Sequence, residues 1–220
     1  MKVLLNGNLI ETPLPFEASN RAFQYGDGIF ETMWFIDGRV PLQTLHERRL
    51  RDGLSLLSLQ LHQSRIKFLE ENIESLRQFN CPDTDECIAK FMVWRKSSEI
   101  GAGYYNDTDI AETLLTIRPK PTTDNNPLRL GISEESIVSK SPWSAAKTMN
   151  SLPYIMAARE CRRCVADDLL ILNPAGEVAE AISSNVFAFI NGEWITPELG
   201  SGCVNGVMRQ FILEQSWDYP

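Results

Sequence analysis

Residues 25–40 read YGDGIFETMWFIDGRV, a stretch that predicts a turn, a long β-strand and a second turn. The Gly-Asp-Gly at 26–28 is typical of a turn, and Ile29–Ile36 is rich in β-branched and aromatic residues, which favour strands. Asp37-Gly38 then predicts a hairpin turn that returns the chain into Arg39-Val40. The stretch therefore predicts a β-hairpin in the first half of the chain.

Helices and strands are predicted on both sides of this hairpin. Upstream, the Asn6-Gly7-Asn8 turn signal predicts an opening hairpin of Val3–Asn6 and Leu9–Ile10. Downstream, Thr44-Leu45-His46-Glu47 has capping-box spacing, so we expect a helix to begin there. Apolar residues at helical spacing predict two amphipathic helices in series, marked by Leu50, Leu54, Leu57 and Leu61 and then by Ile66, Leu69, Ile73 and Leu76. Two further strands are predicted over Glu86–Arg95 and Glu112–Arg118.

A polar segment closed by Pro119 and Pro127 predicts a linker between two domains. Beyond it we predict strands at Leu128–Ile132, Asp168–Leu172, Asn185–Ile190 and Trp194–Thr196, a helix from about Ser151 to Cys164, and a last helix near Gly206. The sequence therefore predicts an α+β chain with an N-terminal domain at 1–118, a linker at 119–127 and a C-terminal domain at 128–220.

Composition narrows the classes of partner. The formal net charge of −8 disfavours nucleic acid, and no apolar run approaches the length of a membrane span. No signal peptide is recognisable at the start of the chain. The five cysteines are irregularly spaced, which suits free thiols in the cytoplasm. Cys161 and Cys164 have CxxC spacing, but without a second pair or a nearby histidine we expect no metal site.

Four motifs follow one another along the chain: YGDGIFET at 25–32, HERRL at 46–50, KTMN at 147–150 and EAISSNVF at 180–187. With NGVMR at 205–209 they resemble the class IV (fold type IV) enzymes that depend on pyridoxal 5'-phosphate (PLP). The resemblance implies a small α/β N-terminal domain, a larger β-rich, barrel-like C-terminal domain that is incomplete at its C-terminus, and a homodimer.

Enzymes of this kind need an amine that bonds the cofactor, an acidic partner for its ring nitrogen and a binding site for its phosphate. By resemblance, Lys147 forms the Schiff base and then shuttles protons as general base and acid. Glu180 matches the acidic partner of the pyridine nitrogen, which makes the ring a better electron sink. Arg49 and the backbone amides of Val207 and Met208 match the phosphate contacts.

The sequence also predicts the position of Lys147 and the supporting or substrate-side roles of further residues. We expect Lys147 where the polar loop 141–144 gives way to a helix. His46 shares a helix face with Arg49, so we interpret it as a packed or hydrogen-bonding support. The resemblance also implies substrate-side positions for Tyr25, Thr32, Arg95 and Tyr104.

Within the family, Glu31-Thr32 and the segment 205–211 most resemble 4-amino-4-deoxychorismate lyase, and this resemblance implies an enzyme of folate biosynthesis that forms 4-aminobenzoate and pyruvate from a small amino substrate. Leu152 stands where branched-chain aminotransferases usually carry a tyrosine. Met208 stands where D-amino-acid aminotransferases tend to have threonine, and no Arg-x-His pair follows near Arg95. Trp34 stands where these relatives often carry an arginine for a substrate carboxylate. A class IV aminotransferase of D-amino-acid or branched-chain type and a non-catalytic dimeric relative stay open as alternatives.

Overall fold

The computed structural model describes residues 1–14, 16–67, 69–98, 103–122 and 126–215. The chain divides into an N-terminal unit, Met1–Thr122 with Thr148–Asn150, and a C-terminal unit, the described part of Thr123–Lys147 and Ser151–Pro220. The predicted linker at 119–127 includes residues 123–125, which lie outside the described residues, so its bounds stay a prediction. No helix in the described ranges has the length and apolar character required to cross a bilayer.

The N-terminal unit is built on an antiparallel sheet in the order β2-β1-β5-β4-β3. Its strands are β1 Lys2–Leu5, β2 Asn8–Glu11, β3 Gly28–Ile36, β4 Glu86–Arg95 and β5 Ala111–Pro119. Its helices are α1 Arg21–Tyr25, α2 Gln43–Leu56, α3 Ser64–Lys67 and α4 Leu69–Asn80. Both hairpin turns and the long strand after the Gly-Asp-Gly turn lie where the sequence predicts them.

The alternation of β3 explains which face of the sheet is covered. Met33 and Phe35 are buried, whereas Thr32 and Trp34, which alternate with them along the strand, are exposed, because successive side chains of a strand point to opposite faces. The buried face joins a core that includes Ile73 of α4. Each fully buried side chain of this size contributes roughly 1.5–3 kcal/mol, so this core anchors α4 to the sheet.

The predicted capping box is wrong. Helix α2 begins at Gln43, before Thr44, and its N-cap is Leu42, whose φ of 59° lies in the left-handed region and whose side chain makes no capping bond. The backbone amides of Leu45 and His46 donate to the Leu42 carbonyl, so the backbone turn itself starts the helix. Thr44 and Glu47 both lie inside the helix, so they cannot cap its N-terminus.

Two predicted spans in this unit also differ from the structure. Helix α2 ends at Leu56, so Leu57 and Leu61 lie beyond it, although both still pack against the core. The return strand at Arg39-Val40 is reduced to a single bridge between Ile36 and Arg39. Apolar spacing thus indicates the buried face correctly while overestimating how far regular structure continues.

The C-terminal unit contains two small sheets and two α-helices in its described residues. Its elements are β6 Leu130–Ile137, α5 Leu152–Cys161, β7 Asp168–Leu172, β8 Val178–Ala181, β9 Ala188–Ile190, β10 Glu193–Ile195, a 3-10 turn at Leu199–Ser201 and α6 Val207–Glu214. β6 and β7 are parallel, β7 and β8 antiparallel, and β9 pairs with β10. The first strand is longer than predicted, and the strand predicted to begin at Asn185 begins at Ala188.

Candidate functional site

Lys147 lies in a turn-rich loop of the C-terminal unit, where the sequence predicts the start of a helix. The amides of Ser144 and Ala146 close turns on the carbonyls of Ser141 and Trp143, and no helix begins before Leu152 in this described stretch. The Ala145 carbonyl accepts a hydrogen bond of 2.9 Å from the amide of Asn205. The Lys147 loop is therefore tied to the segment that precedes α6.

Glu180 is a buried carboxylate near the end of β8, 4% exposed. Its Oε1 accepts a hydrogen bond of 2.8 Å from the Tyr154 hydroxyl, and the Val204 amide lies 3.2 and 3.3 Å from its two oxygens. Burial raises the pKa of Glu180, and these donors together with the positive charge of Lys147 offset only part of that rise. These hydrogen-bond donors are therefore needed to keep the Glu180 side chain ionised.

The N-terminus of α6 has the geometry of an anion-binding site. Gly206 is its N-cap with extended backbone and no side-chain cap, and the first helical bond runs from Gln210 to the Gly206 carbonyl. The amides of Val207 and Met208 therefore precede the helical ladder, where backbone N–H groups and the helix dipole favour an anion. A Cβ at Gly206 would overlap the Asn185 side chain.

One short segment, Val204–Gly206, connects the three predicted groups. The amide of Val204 reaches Glu180, the amide of Asn205 reaches the Lys147 loop, and Gly206 caps α6. Asn185 donates to the Val204 carbonyl at 2.9 Å. The C-terminal unit therefore brings together Lys147, Glu180 and the α6 amides, whose assigned roles stay predictions.

Sequence reasoning missed the side chain that touches Glu180. Tyr154 stands 26 residues before Glu180, and no motif marks it. Asn185 lies within the motif EAISSNVF but has no role in the sequence predictions. One signal could have pointed to Tyr154: it lies two residues after Leu152, the position where branched-chain aminotransferases usually carry a tyrosine.

Arg49 lies on α2 of the N-terminal unit and forms a buried pair with Glu31 of β3. Its Nε and one Nη donate to the two Glu31 oxygens at 2.8 and 2.5 Å, and His46 Nδ1 lies 2.7 Å from Glu31 Oε2. Burial alone would raise the pKa of Glu31, but the hydrogen bonds from Arg49 and His46 outweigh it and hold that pKa below its ordinary value. Glu31 lies in the first motif but has no role in the sequence predictions.

Arg95 is engaged by neighbours within the same unit. Its Nε donates to Asp27 at 3.1 Å, and its two other nitrogens donate to Asp109 at 2.5 Å and to the Leu57 carbonyl at 2.6 Å. Asp27 also accepts from Arg21 at 2.8 Å. The guanidinium of Arg95 therefore stabilises the end of β4.

The other predicted substrate-side residues also lie in the N-terminal unit. The rings of Tyr25 and Tyr104 are 5.3 Å apart in a tilted arrangement. Thr32 is exposed on β3. Residues 99–102, which precede Tyr104, lie outside the described residues. Contact of these side chains with a substrate stays a prediction.

Comparisons with known proteins agree with the motif order. The family model "Amino-transferase class IV" matches residues 28–217. An aminodeoxychorismate lyase of Bacillus subtilis is 28% identical over 98% of this chain and 74% of its own length. A putative branched-chain-amino-acid aminotransferase of Methanocaldococcus jannaschii is 23% identical over 97% and 74%, respectively. The Escherichia coli branched-chain amino acid aminotransferase structure superposes with a TM-score of 0.83 at 19% identity, covering 97% of this chain and 73% of that one.

These comparisons confirm the predicted fold class, and the donor groups of the C-terminal unit fit the cofactor. A buried carboxylate suits a protonated ring nitrogen, helix amides suit a phosphate, and a lysine amine suits an aldehyde carbon. The chain belongs to the class IV aminotransferase family, whose enzymes depend on PLP.

Proposed function

We propose that this protein is a 4-amino-4-deoxychorismate lyase that forms 4-aminobenzoate and pyruvate. The observation that carries the proposal is the buried Glu180 carboxylate, which two donors hold within the electrostatic influence of Lys147. A buried carboxylate whose pKa is raised and which interacts electrostatically with a lysine is typical of a functional site rather than of a packed core.

The residues divide the work between holding the cofactor and moving protons. When bound, PLP supplies an electron sink at the reacting carbon. Lys147 Nζ would hold the aldehyde carbon of PLP until the substrate amine displaces it, and the amine freed in this way would take the proton from the substrate ring carbon. Glu180 holds the proton on the ring nitrogen. The amides of Val207 and Met208 would bind the phosphate, and the family resemblance assigns Arg49 to the same group.

Two features support the lyase over the aminotransferases of the family. Leu152 begins α5 as an exposed apolar residue, so it offers no hydroxyl to a cofactor oxygen. Arg95 is already bonded to Asp27 and Asp109, which disfavours its use as a trap for an amino-acid carboxylate. Tyr25, Thr32 and Tyr104 are the substrate-side residues of this proposal, with Arg95 as a positioning residue.

A class IV aminotransferase of branched-chain or D-amino-acid type is the second candidate, favoured by the branched-chain name of the Methanocaldococcus relative. The homodimer and the cytoplasmic location are further parts of the proposal. The exposed Thr32 and Trp34 face of β3 supports the dimer, and the unpaired state of all five cysteines supports the location. Light scattering on the purified protein and cell fractionation test these two parts.

The first experiment tests the cofactor. The purified protein is mixed with PLP, and its visible absorption is recorded before and after borohydride for wild type, Lys147→Ala and Lys140→Ala. Lys140 is a matched control because it is exposed and lies seven residues before Lys147. We expect a visible band in wild type and in Lys140→Ala that borohydride abolishes while it fixes the cofactor covalently to the protein. Lys147→Ala should show neither the band nor the covalent adduct.

The second experiment tests the reaction with the PLP-loaded protein. With 4-amino-4-deoxychorismate we expect fluorescent 4-aminobenzoate, and with D-alanine or valine plus 2-oxoglutarate we expect no glutamate. Glutamate without 4-aminobenzoate would replace the lyase by the aminotransferase. A wild-type protein that forms no reducible adduct would refute the PLP proposal and leave the non-catalytic relative.

A further inference from the structure

Tyr154 is the side chain of α5 that contacts Glu180. It lies in the first turn of the helix, partly buried against a core that includes Ala157 and Ile171, and its hydroxyl donates to Glu180 Oε1 at 2.8 Å. Burial and the negative charge of Glu180 raise the pKa of the Tyr154 phenol. The phenol therefore keeps its proton and stays a donor at neutral pH.

The groups around Glu180 act in opposite directions on its charge. Burial favours the neutral acid, whereas the Tyr154 hydroxyl, the Val204 amide and the Lys147 ammonium favour the carboxylate. The Cys203 thiol, buried beside the same segment, also interacts with Glu180. Of these, the Tyr154 hydroxyl is a donor that can be deleted while its ring is kept.

Resting on the proposed function, we propose that Tyr154 is a positioning residue that orients the Glu180 carboxylate and keeps it ionised for the ring nitrogen of PLP. The Tyr154 hydroxyl lies 2.8 Å from Oε1, and the Val204 amide is shared between Oε1 at 3.2 Å and Oε2 at 3.3 Å, so the two donors together restrict the orientation of the carboxylate. Each of these donors stabilises the carboxylate form of Glu180, which is the form that can pair with a protonated ring nitrogen. No motif of the chain assigns this role to a tyrosine in α5.

The test compares Tyr154→Phe with wild type and with Tyr105→Phe, an exposed tyrosine of the other unit. The first measurement needs no cofactor: the Glu180 carboxyl is titrated by carbon NMR in apo protein labelled on glutamate, with Glu180→Gln identifying the signal. A hydrogen bond to a charged group contributes roughly 1.5–3 kcal/mol, and one pKa unit corresponds to about 1.4 kcal/mol. We expect Tyr154→Phe to raise the pKa of Glu180 by about one unit or more.

The second measurement is the dissociation constant of PLP as a function of pH. Protonation of Glu180 removes the acceptor for the ring nitrogen, so affinity falls on the acid side. The acid limb should move to higher pH by about one unit in Tyr154→Phe, with a roughly tenfold loss of affinity on that limb. Tyr105→Phe should match wild type in both measurements.

The outcomes separate the two proposals. An unchanged Glu180 titration and an unmoved acid limb would overturn the role of Tyr154, even if PLP affinity fell equally at every pH, since that pattern indicates packing alone. Failure of the wild type to bind PLP would instead overturn the proposed function, while the NMR titration would still decide whether Tyr154 keeps Glu180 ionised.

Discussion

Replacing Glu31 by glutamine should destabilise the N-terminal unit far more than the same replacement at the surface. Glu31 is 2% exposed and Arg49 8% exposed, and two hydrogen bonds of 2.8 and 2.5 Å join them. The glutamine amide would keep the shape of the side chain but would leave the Arg49 charge buried without its counter-ion. The perturbation therefore isolates the ion pair from the packing around it.

The structure sets the size of the expected effect. Breaking a buried ion pair by removing one partner costs roughly 3–5 kcal/mol, because the remaining charge stays desolvated. The hydrogen bond between His46 and Glu31 is also weakened by the loss of the negative charge. We expect Glu31→Gln to lower the free energy of unfolding by about 3 kcal/mol.

Urea denaturation followed by tryptophan fluorescence measures this loss, since Trp94 is buried in the same unit. Glu47→Gln is the matched control on α2: its pair with Arg51 is half exposed at 3.7 Å, so about 0.5 kcal/mol or less should be lost. The double variant Glu31→Leu with Arg49→Met should cost less than the sum of the single changes, because neither charge is then left alone.

The reasoning would be refuted by a Glu31→Gln protein that unfolds at the same urea concentration as the Glu47→Gln control. It would also be refuted if the double variant lost the full sum of the two single losses. Either result would mean that solvent reaches the pair and that the desolvation argument does not apply.

Three further predictions test other parts of the structure. The pKa of Glu31 lies below its ordinary 4.5 in the folded protein. The contribution of Glu31 to the free energy of unfolding is therefore complete above pH 4.5 and is lost as the pH falls through the folded pKa. Wild-type urea midpoints should drop more steeply below pH 4.5 than those of Glu31→Gln. A Cβ at Gly28 would overlap the Val93 carbonyl, so Gly28→Ala should cost about 1–3 kcal/mol in thermal unfolding, and an unchanged melting temperature would contradict the close approach. Cys164 is exposed, whereas burial raises the pKa of Cys87 to about 12. Iodoacetamide at about pH 8 should therefore label Cys164 first, which peptide mass spectrometry measures. Early labelling of Cys87 would contradict its burial.

Patterns that depend on neighbouring residues were predictable from the sequence. The long strand from Ile29 to Ile36 and the strand Asp168–Leu172 lie almost where the sequence predicts them, because side-chain alternation and turn chemistry act over a few residues. The order of the motifs was sufficient to indicate the family and its cofactor. Helix ends were less predictable: a backbone turn at Leu42 starts α2 ahead of Thr44.

The partners of the buried charges were decided by tertiary structure alone. Tyr154 meets Glu180 across 26 residues of sequence, and Arg49 meets Glu31 across 18. No local pattern encodes these pairs, because each depends on how a helix packs against a strand. The sequence by itself determined which residues can carry charge, whereas the fold decided which of them are desolvated, and desolvation is what makes each remaining partner matter.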